Sequence, residues 1–452
     1  MRPKFFSSRL WAHPALLIVS SFALTDLVGA LLLWLPFMHQ QRLSLIDALF
    51  TSTSAVCVTG LTVVNTAQVF TRLGQAVILL LIQLGGLGVM TFSVLISLGL
   101  RKTLNFRSRL IVQETFLPYR LTDLPSLIFT IVIYTFLSEF ILAFFLFFAF
   151  ILRFSLGDAL FHAVFHAISA FCNAGFSTFP EGLVIYQNSF YVPVIIMLGV
   201  LLGNTGFPII YEAVEYLRKA KHRFSLHFKL TLLTHFLLIV IGLLVLAVLE
   251  WNGALAHLSY PERILAALFH SVSARTAGFN TLDLASFSEH GLYFLVLLMF
   301  IGACPGSTGG GIKTTTLAVI WASAFSRMRG YYRTVAFKRT IPEAQVLKAI
   351  VLLVVAITVI VVLHFVLTFS VPSVPFYQAH GEFLATLFEA VSAFGTVGLS
   401  TGLTPKLDAL GKLVIIVLMF GGRVGFLSLV SLLTQVKEPK PFHYAPEEVM
   451  IG

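Results

Sequence analysis

"FTSTSAVCVTGLT", residues 50–62, returns three times along the chain, as "FHAISAFCNAGFS" at 165–177, "FHSVSARTAGFNT" at 269–281 and "FEAVSAFGTVGLS" at 388–400. The shared frame is Phe, three residues, Ser-Ala, a spacer, Gly, then Leu or Phe. The spacer holds four residues in copies one, two and four and three in copy three. Each copy is about a dozen residues long, too short to cross a hydrocarbon core that takes roughly 20 helical residues. Long apolar segments flank every copy on both sides, so one unit of span, short hairpin and span occurs four times. Non-helical backbone survives at membrane depth only where protein or a water-filled cavity covers it. Four re-entrant hairpins around one axis would make a pore.

Composition agrees with that frame. Of 452 residues, 58% are hydrophobic and 11% charged, against roughly 25% charged in soluble domains. The expected fold is an all-α polytopic membrane protein with eight transmembrane helices and four re-entrant pore loops about a pseudo-fourfold pore. One membrane domain is expected over 1–452, with repeats at about 10–105, 122–220, 226–328 and 344–436 and a short tail at 437–452. The N-terminus lacks the small-residue cleavage site of a signal peptide, so its first apolar run reads as a span.

Charge sets the orientation. Of 30 Lys and Arg, 21 lie at the two ends and in three inter-unit stretches, "RKTLNFRSRL" through Arg120, "RKAKHRFSLHFK", and "RMRGYYRTVAFKRT" through Lys348. The positive-inside rule puts both termini and these stretches in the cytoplasm of a plasma-membrane protein. Each basic stretch closely flanks a span, which excludes nucleic acid as a partner. Cys57, Cys172 and Cys304 lie in apolar or small-residue surroundings without ligand spacing and read as buried thiols.

After each short helix the chain reaches Val58-Thr59-Gly60, Asn173-Ala174-Gly175, Thr276-Ala277-Gly278 and Thr396-Val397-Gly398. Glycine tolerates φ > 0 and suits a turn whose carbonyls must share a direction. Known channels replace the hydration shell of potassium with such carbonyl rings. These twelve residues are the candidate ion-binding filter.

A second landmark follows each filter: "GGLG" at 85–88, "GNTG" at 203–206, "GACPG" at 302–306 and "GGRVG" at 421–425. Small residues allow close helix approach, and packing is the expected role of the first two. The third opens "GACPGSTGGGIKTTT", residues 302–316, where five glycines and Pro305 interrupt a span. Gly306, Ser307, Thr308, Gly309, Gly310, Gly311 and Lys313 are expected to form a gate across the pore just below the filter, with Arg423 at the same depth. At about 6 Å from a cation, with effective ε near 20, Arg423 would oppose it by about 3 kcal/mol. Arg275, behind the third filter, is expected to brace its hairpin by pairing with an acidic group. Asp26, Glu139 and Glu389 are the carboxylates expected at membrane depth.

Other classes fit poorly. "GSTGGGIKT" approaches the phosphate-binding G-x-x-x-x-G-K-[ST], but Ile312 separates Gly311 from Lys313 and no strand or soluble domain precedes it. No catalytic constellation accompanies it, and no enzyme is expected. His162 and His166 share a helix face ahead of the second filter and read as packing. Successive units begin and end on the same side, unlike the inverted repeats of many secondary transporters for other solutes.

The fourfold plan, one glycine per hairpin and "PGSTGGGIKTTT" resemble the Trk/Ktr/HKT superfamily of potassium transporters over nearly the whole chain. The first repeat begins almost at once, which looks more like a Ktr-type ion-translocating subunit. The resemblance implies potassium as substrate, with sodium as a modulator and no cofactor in this chain. Gly60 stands where a serine goes with sodium permeation in this family, which implies potassium selectivity. The resemblance also implies a homodimer in membrane lipid, seated on a separate cytosolic nucleotide-binding ring. The basic loops and "PFHYAPEEVMIG" are the expected docking surfaces. A sodium-permeable pore of the same fold is the alternative.

Overall fold

Helices dominate the computed structural model, which describes residues 14–88, 124–218, 223–372 and 381–425. The expected cytoplasmic ends, the whole basic stretch from Arg101 to Arg120, and the tail at 437–452 lie outside the described residues.

The first unit comprises α1 (Pro14–Leu33), the motif helix α2 (Leu45–Val56), a single turn α3 (Thr66–Val69) and α4 (Arg72–Leu87). In the second, α5 (Leu124–Phe150) leads to the motif helix α6 (Leu156–Phe171), then α7 (Tyr191–Asn204) and α8 (Phe207–Arg218). The third holds α9 (Leu226–Glu250), motif helix α10 (Tyr260–Ser273), α11 (Glu289–Phe300) and α12 (Thr314–Met328). The fourth holds α13 (Glu343–Leu367), motif helix α14 (Glu382–Gly395) and α15 (Ala409–Val424).

Three motif helices start from the same local chemistry. Ser44 caps α2 by accepting from the amide of Asp47, and Ser155 does the same for α6 through Asp158. Ser259 and Glu262 form a capping box at α10. These hydroxyls satisfy amides that a helix start leaves unpaired. Gly381 begins α14 in the left-handed region without a side-chain cap.

Among the described residues, α5, α9 and α13 are long and apolar enough to cross a membrane, and α7 with α8 becomes a fourth if that pair, bent by 87°, is one span. The eight spans expected from hydropathy are therefore not all continuous helices here. One ends at the glycine loop after Phe300, another bends at Gly206, and α4 and α15 run to the edge of the described residues. The long helices turn apolar side chains outward, among them Phe140 at 69%, Val248 at 78% and Phe365 at 64% exposure. Such a surface is stable against lipid rather than water.

The packing order closes on itself. Helix α4 packs on α6, α7 on α10, α11 on α14, and α15 on α2, so each unit leans on the motif helix of the next and the fourth returns to the first. The motif phenylalanines Phe50, Phe165, Phe269 and Phe388 are all buried. The small-residue landmark lets this happen. A Cβ at Gly85 would strike the carbonyl oxygen of Val56, one at Gly203 that of Phe171, and one at Gly422 that of Phe394. Helices α4, α7 and α15 thus lie directly against the C-terminal ends of their motif helices.

The fold is not wholly α. Between α12 and α13, Val335–Ala336 and Arg339–Thr340 pair as a minimal antiparallel hairpin. Its turn residues Phe337 and Lys338 both have positive φ, the geometry of a two-residue hairpin turn. Neither residue signals such a turn, so the sequence reads as a plain basic loop. His162 and His166 sit among aromatic rings: His166 stacks on Phe179 at 4.5 Å, and His162 hydrogen-bonds the Thr178 hydroxyl at 2.6 Å.

Candidate ion pathway

The four motif helices end at Val56, Phe171, Ser273 and Gly395, and the glycine-bearing segments follow at once. Val58, Asn173, Thr276 and Thr396 have φ of 55°, 59°, 74° and 49°, and Gly60, Gly175, Gly278 and Gly398 have 97°, 68°, 75° and 93°. Between each pair stands one residue, Thr59, Ala174, Ala277 or Val397, outside the positive-φ set. The same alternation recurs in all four segments. Positive φ is uncommon for non-glycine residues and costs strain at a branched valine or threonine, so the surrounding contacts must hold it.

The four segments meet. A Cβ at Gly60 would fall 2.5 Å from the carbonyl oxygen of Ala174, at Gly175 2.8 Å from that of Ala277, and at Gly278 2.5 Å from that of Val397. One at Gly398 would strike the carbonyl oxygen of Thr59. The contacts run one to two, two to three, three to four and four to one. The helix C-termini direct the negative ends of their dipoles here.

The glycine loop lies against the first residues of two of these segments. Helix α11 ends at Phe300, and Ile301 bridges Ile312. The amide of Gly310 donates to the Thr396 hydroxyl at 2.9 Å, and a Cβ at Gly309 would strike the Thr276 hydroxyl. Other partners come from around the molecule. The Thr308 amide and hydroxyl both donate to the carbonyl of Gly203, at 3.3 and 3.2 Å, and the hydroxyl also reaches that of Phe171. The Gly311 amide reaches Gly422, and the Phe207 amide donates to Gly306. Lys313 Nζ closes the loop on the carbonyl of Gly309 at 2.6 Å, and Ser307 donates to Cys304. These backbone groups, freed from helix, thus find partners within the protein.

Arg423 donates Nη1 to the carbonyl oxygen of Thr308 and Nη2 to that of Gly85. It ties the loop to both the fourth and the first unit. A cavity of about 200 Å³ beside the loop is lined by Gly311, Lys313, Arg423 and Phe394.

Arg275 differs from expectation. It is fully buried and donates Nη2 to the carbonyl of Gly302 at 2.8 Å, and no ion pair to a carboxylate occurs for it among the described residues. The brace runs to the start of the loop through a backbone oxygen. Asp26, Glu139 and Glu389 are all buried in protein. Glu389 accepts from Ser400 at 2.6 Å, the amide of Thr401 at 2.9 Å and Thr404 at 2.5 Å, while Glu139 meets the Cys172 thiol at 3.9 Å and the Gln83 side chain. The three cysteines are free and buried. Sequence reasoning missed Asn204, which donates to the carbonyl of Arg275 at 2.6 Å and accepts from Thr276 at 3.3 Å. Its place in "GNTG", where the other landmarks carry small residues or charge, was the available signal.

A helical membrane protein whose four repeated glycine segments meet in cyclic order is the class that this fold and site define. The chain belongs to the TrkH family of cation transport proteins, whose family model matches residues 9–444. It is 39% identical over 441 residues to the Ktr system potassium uptake protein B of Bacillus subtilis, covering 97% of both chains. It is 38% identical over 445 residues to the potassium/sodium uptake protein NtpJ of Enterococcus hirae, again at 97% of each. Among solved structures, the potassium transporter TrkH from Vibrio parahaemolyticus shares the fold, with a TM-score of 0.71 at 22% identity, over 96% of this chain and 87% of that one.

Proposed function

We propose that this chain takes up potassium across the plasma membrane through the four glycine segments, gated by the loop from Gly302 to Thr314. The observation that carries the reading is the cyclic contact of Gly60, Gly175, Gly278 and Gly398 with the carbonyls of Ala174, Ala277, Val397 and Thr59. The names of the Bacillus and Enterococcus relatives, both similar over nearly the whole chain, support potassium as substrate.

In this reading α2, α6, α10 and α14 are pore helices. The repeats at about 10–105, 122–220, 226–328 and 344–436 each supply two spans, and the termini and basic loops face the cytoplasm. The loop blocks the path in the conformation described, with Lys313 and Arg423 adding positive charge beside it. Two such chains form a homodimer in the lipid, each with its own path. A separate cytosolic nucleotide-binding ring docks on the basic loops and moves the loop. One relative's printed name, potassium/sodium uptake protein, favours a second reading in which the same path also passes sodium.

Cells deprived of their own potassium uptake test the proposal. Expression of this chain restores growth at limiting potassium if the reading holds, and its uptake of rubidium and sodium separates the two variants of it. Absence of cation uptake by correctly inserted protein, with its cytosolic partner supplied, overturns both.

A further inference from the structure

The serine of the repeated Ser-Ala pair touches no ion path, yet it occurs in all four copies. Ser54, Ser169, Ser273 and Ser392 are each buried near the end of a motif helix. The carbonyl of each accepts from the amide of the central residue of its own glycine segment: Thr59 at 2.8 Å, Ala174 at 2.7 Å, Ala277 at 2.9 Å and Val397 at 2.8 Å. The hydroxyl then holds the other side of that residue. Ser54 accepts from the Gly60 amide at 3.1 Å. Ser169 donates to the carbonyl of Phe176 at 2.8 Å, and Ser273 to that of Phe279. Ser392 makes both kinds of bond, accepting from Gly398 at 3.1 Å and donating to Leu399 at 2.6 Å.

We propose that these four serines are positioning residues that set the direction of the Thr59, Ala174, Ala277 and Val397 carbonyls, and so help set cation preference. The inference rests on the filter reading above. Its physical basis is the unfavourable backbone of these segments. Each has two positive φ values within three residues, and a segment so strained keeps its shape only when fixed on both sides. Serine does this with one carbonyl and one hydroxyl. Alanine keeps the carbonyl bond and loses the hydroxyl bond, so it loosens the segment without unfolding the helix. Copies two and four add a second peg, since the residue after the motif phenylalanine reaches the limb beyond the glycine: His166 bonds Ser177 at 3.0 Å, and Glu389 accepts from Ser400.

The test uses the full chain reconstituted in liposomes, with potassium and sodium uptake measured together and melting temperature recorded. Ser392→Ala, which loses two buried hydroxyl bonds, should lower the potassium-to-sodium uptake ratio by at least about fivefold, the fold-change that one such bond is worth, with some fall in melting temperature as well. Ser392→Thr, which keeps the hydroxyl, should retain the parent ratio. Ser271→Ala is the control. That serine lies two residues before Ser273 on the same helix but donates to Ile239 of α9 at 2.8 Å, so its loss should lower melting temperature and leave the ratio alone. If Ser392→Ala fails to fold, Ser54→Ala and Ser169→Ala carry the test with the same expected fall. An unchanged ratio in the serine variants, alongside a changed ratio in Gly60→Ser, overturns this inference and leaves the filter reading standing. An unchanged ratio in all of them overturns the filter reading itself.

Discussion

Arg423 reaches from the fourth unit to the carbonyl oxygen of Thr308 in the third. The same guanidinium holds Gly85 of the first unit. Two fixed carbonyls use the planar fork of the arginine in a way that a lysine ammonium cannot reproduce. In the proposed gating reading Arg423 acts as a latch on the loop as well as a positive charge beside it.

Removing the latch should free the loop. Arg423→Ala is expected to raise potassium flux several-fold in the absence of any cytosolic partner, and Arg423→Lys, which keeps the charge but loses the fork, should raise it less. Equal flux from parent and both variants in well-folded protein would assign Arg423 a purely structural role.

Gly60 is tested through selectivity. A Cβ there would fall 2.5 Å from Ala174 O, and φ is +97°, so any side chain displaces one quarter of the ring. Gly60→Ser should reduce the preference for potassium over sodium on the order of tenfold, a difference of ~1.4 kcal/mol between the two ions. Reversal potentials in mixed salts measure it directly. An unaltered reversal potential removes Gly60 from the filter.

Glu389 is tested through stability. Its carboxylate accepts from Ser400, Thr401 and Thr404 in the limb that follows the fourth glycine segment. Glu389→Leu leaves those donors without an acceptor at a cost of about 1–3 kcal/mol for each that stays buried, so a marked fall in melting temperature is expected. Glu389→Gln keeps one acceptor oxygen and should fall less. Equal melting of the two variants would show that water replaces the carboxylate.

Residue types that recur were readable from the chain, and backbone acceptors were not. The Phe-Ser-Ala-Gly frame pointed to four equivalent segments because glycine and the buried phenylalanine are constrained by side-chain size. The break after Phe300 was legible for the same reason, since five glycines and Pro305 cannot continue a helix. The partners of Arg275, Arg423 and Lys313 were illegible, because each is a carbonyl oxygen that any residue could supply. Reading Arg275 by its charge led to a carboxylate that the structure does not place there among the described residues. The hairpin at Phe337 and Lys338 escaped notice because its turn lacks the Asn and Gly that usually mark one.

The central claim is that the glycine loop closes the path beneath the filter. Removing Ser307 to Gly310 takes away the bonds to Gly203, Phe171, Thr396 and Arg423 together while leaving the glycine segments in place. Potassium flux through the purified, reconstituted protein, compared with the parent at equal folded amount and without a cytosolic partner, is the most direct measurement. The shortened protein should conduct faster and keep its preference among cations. Flux no faster than the parent's, from protein that is folded and inserted, would contradict it.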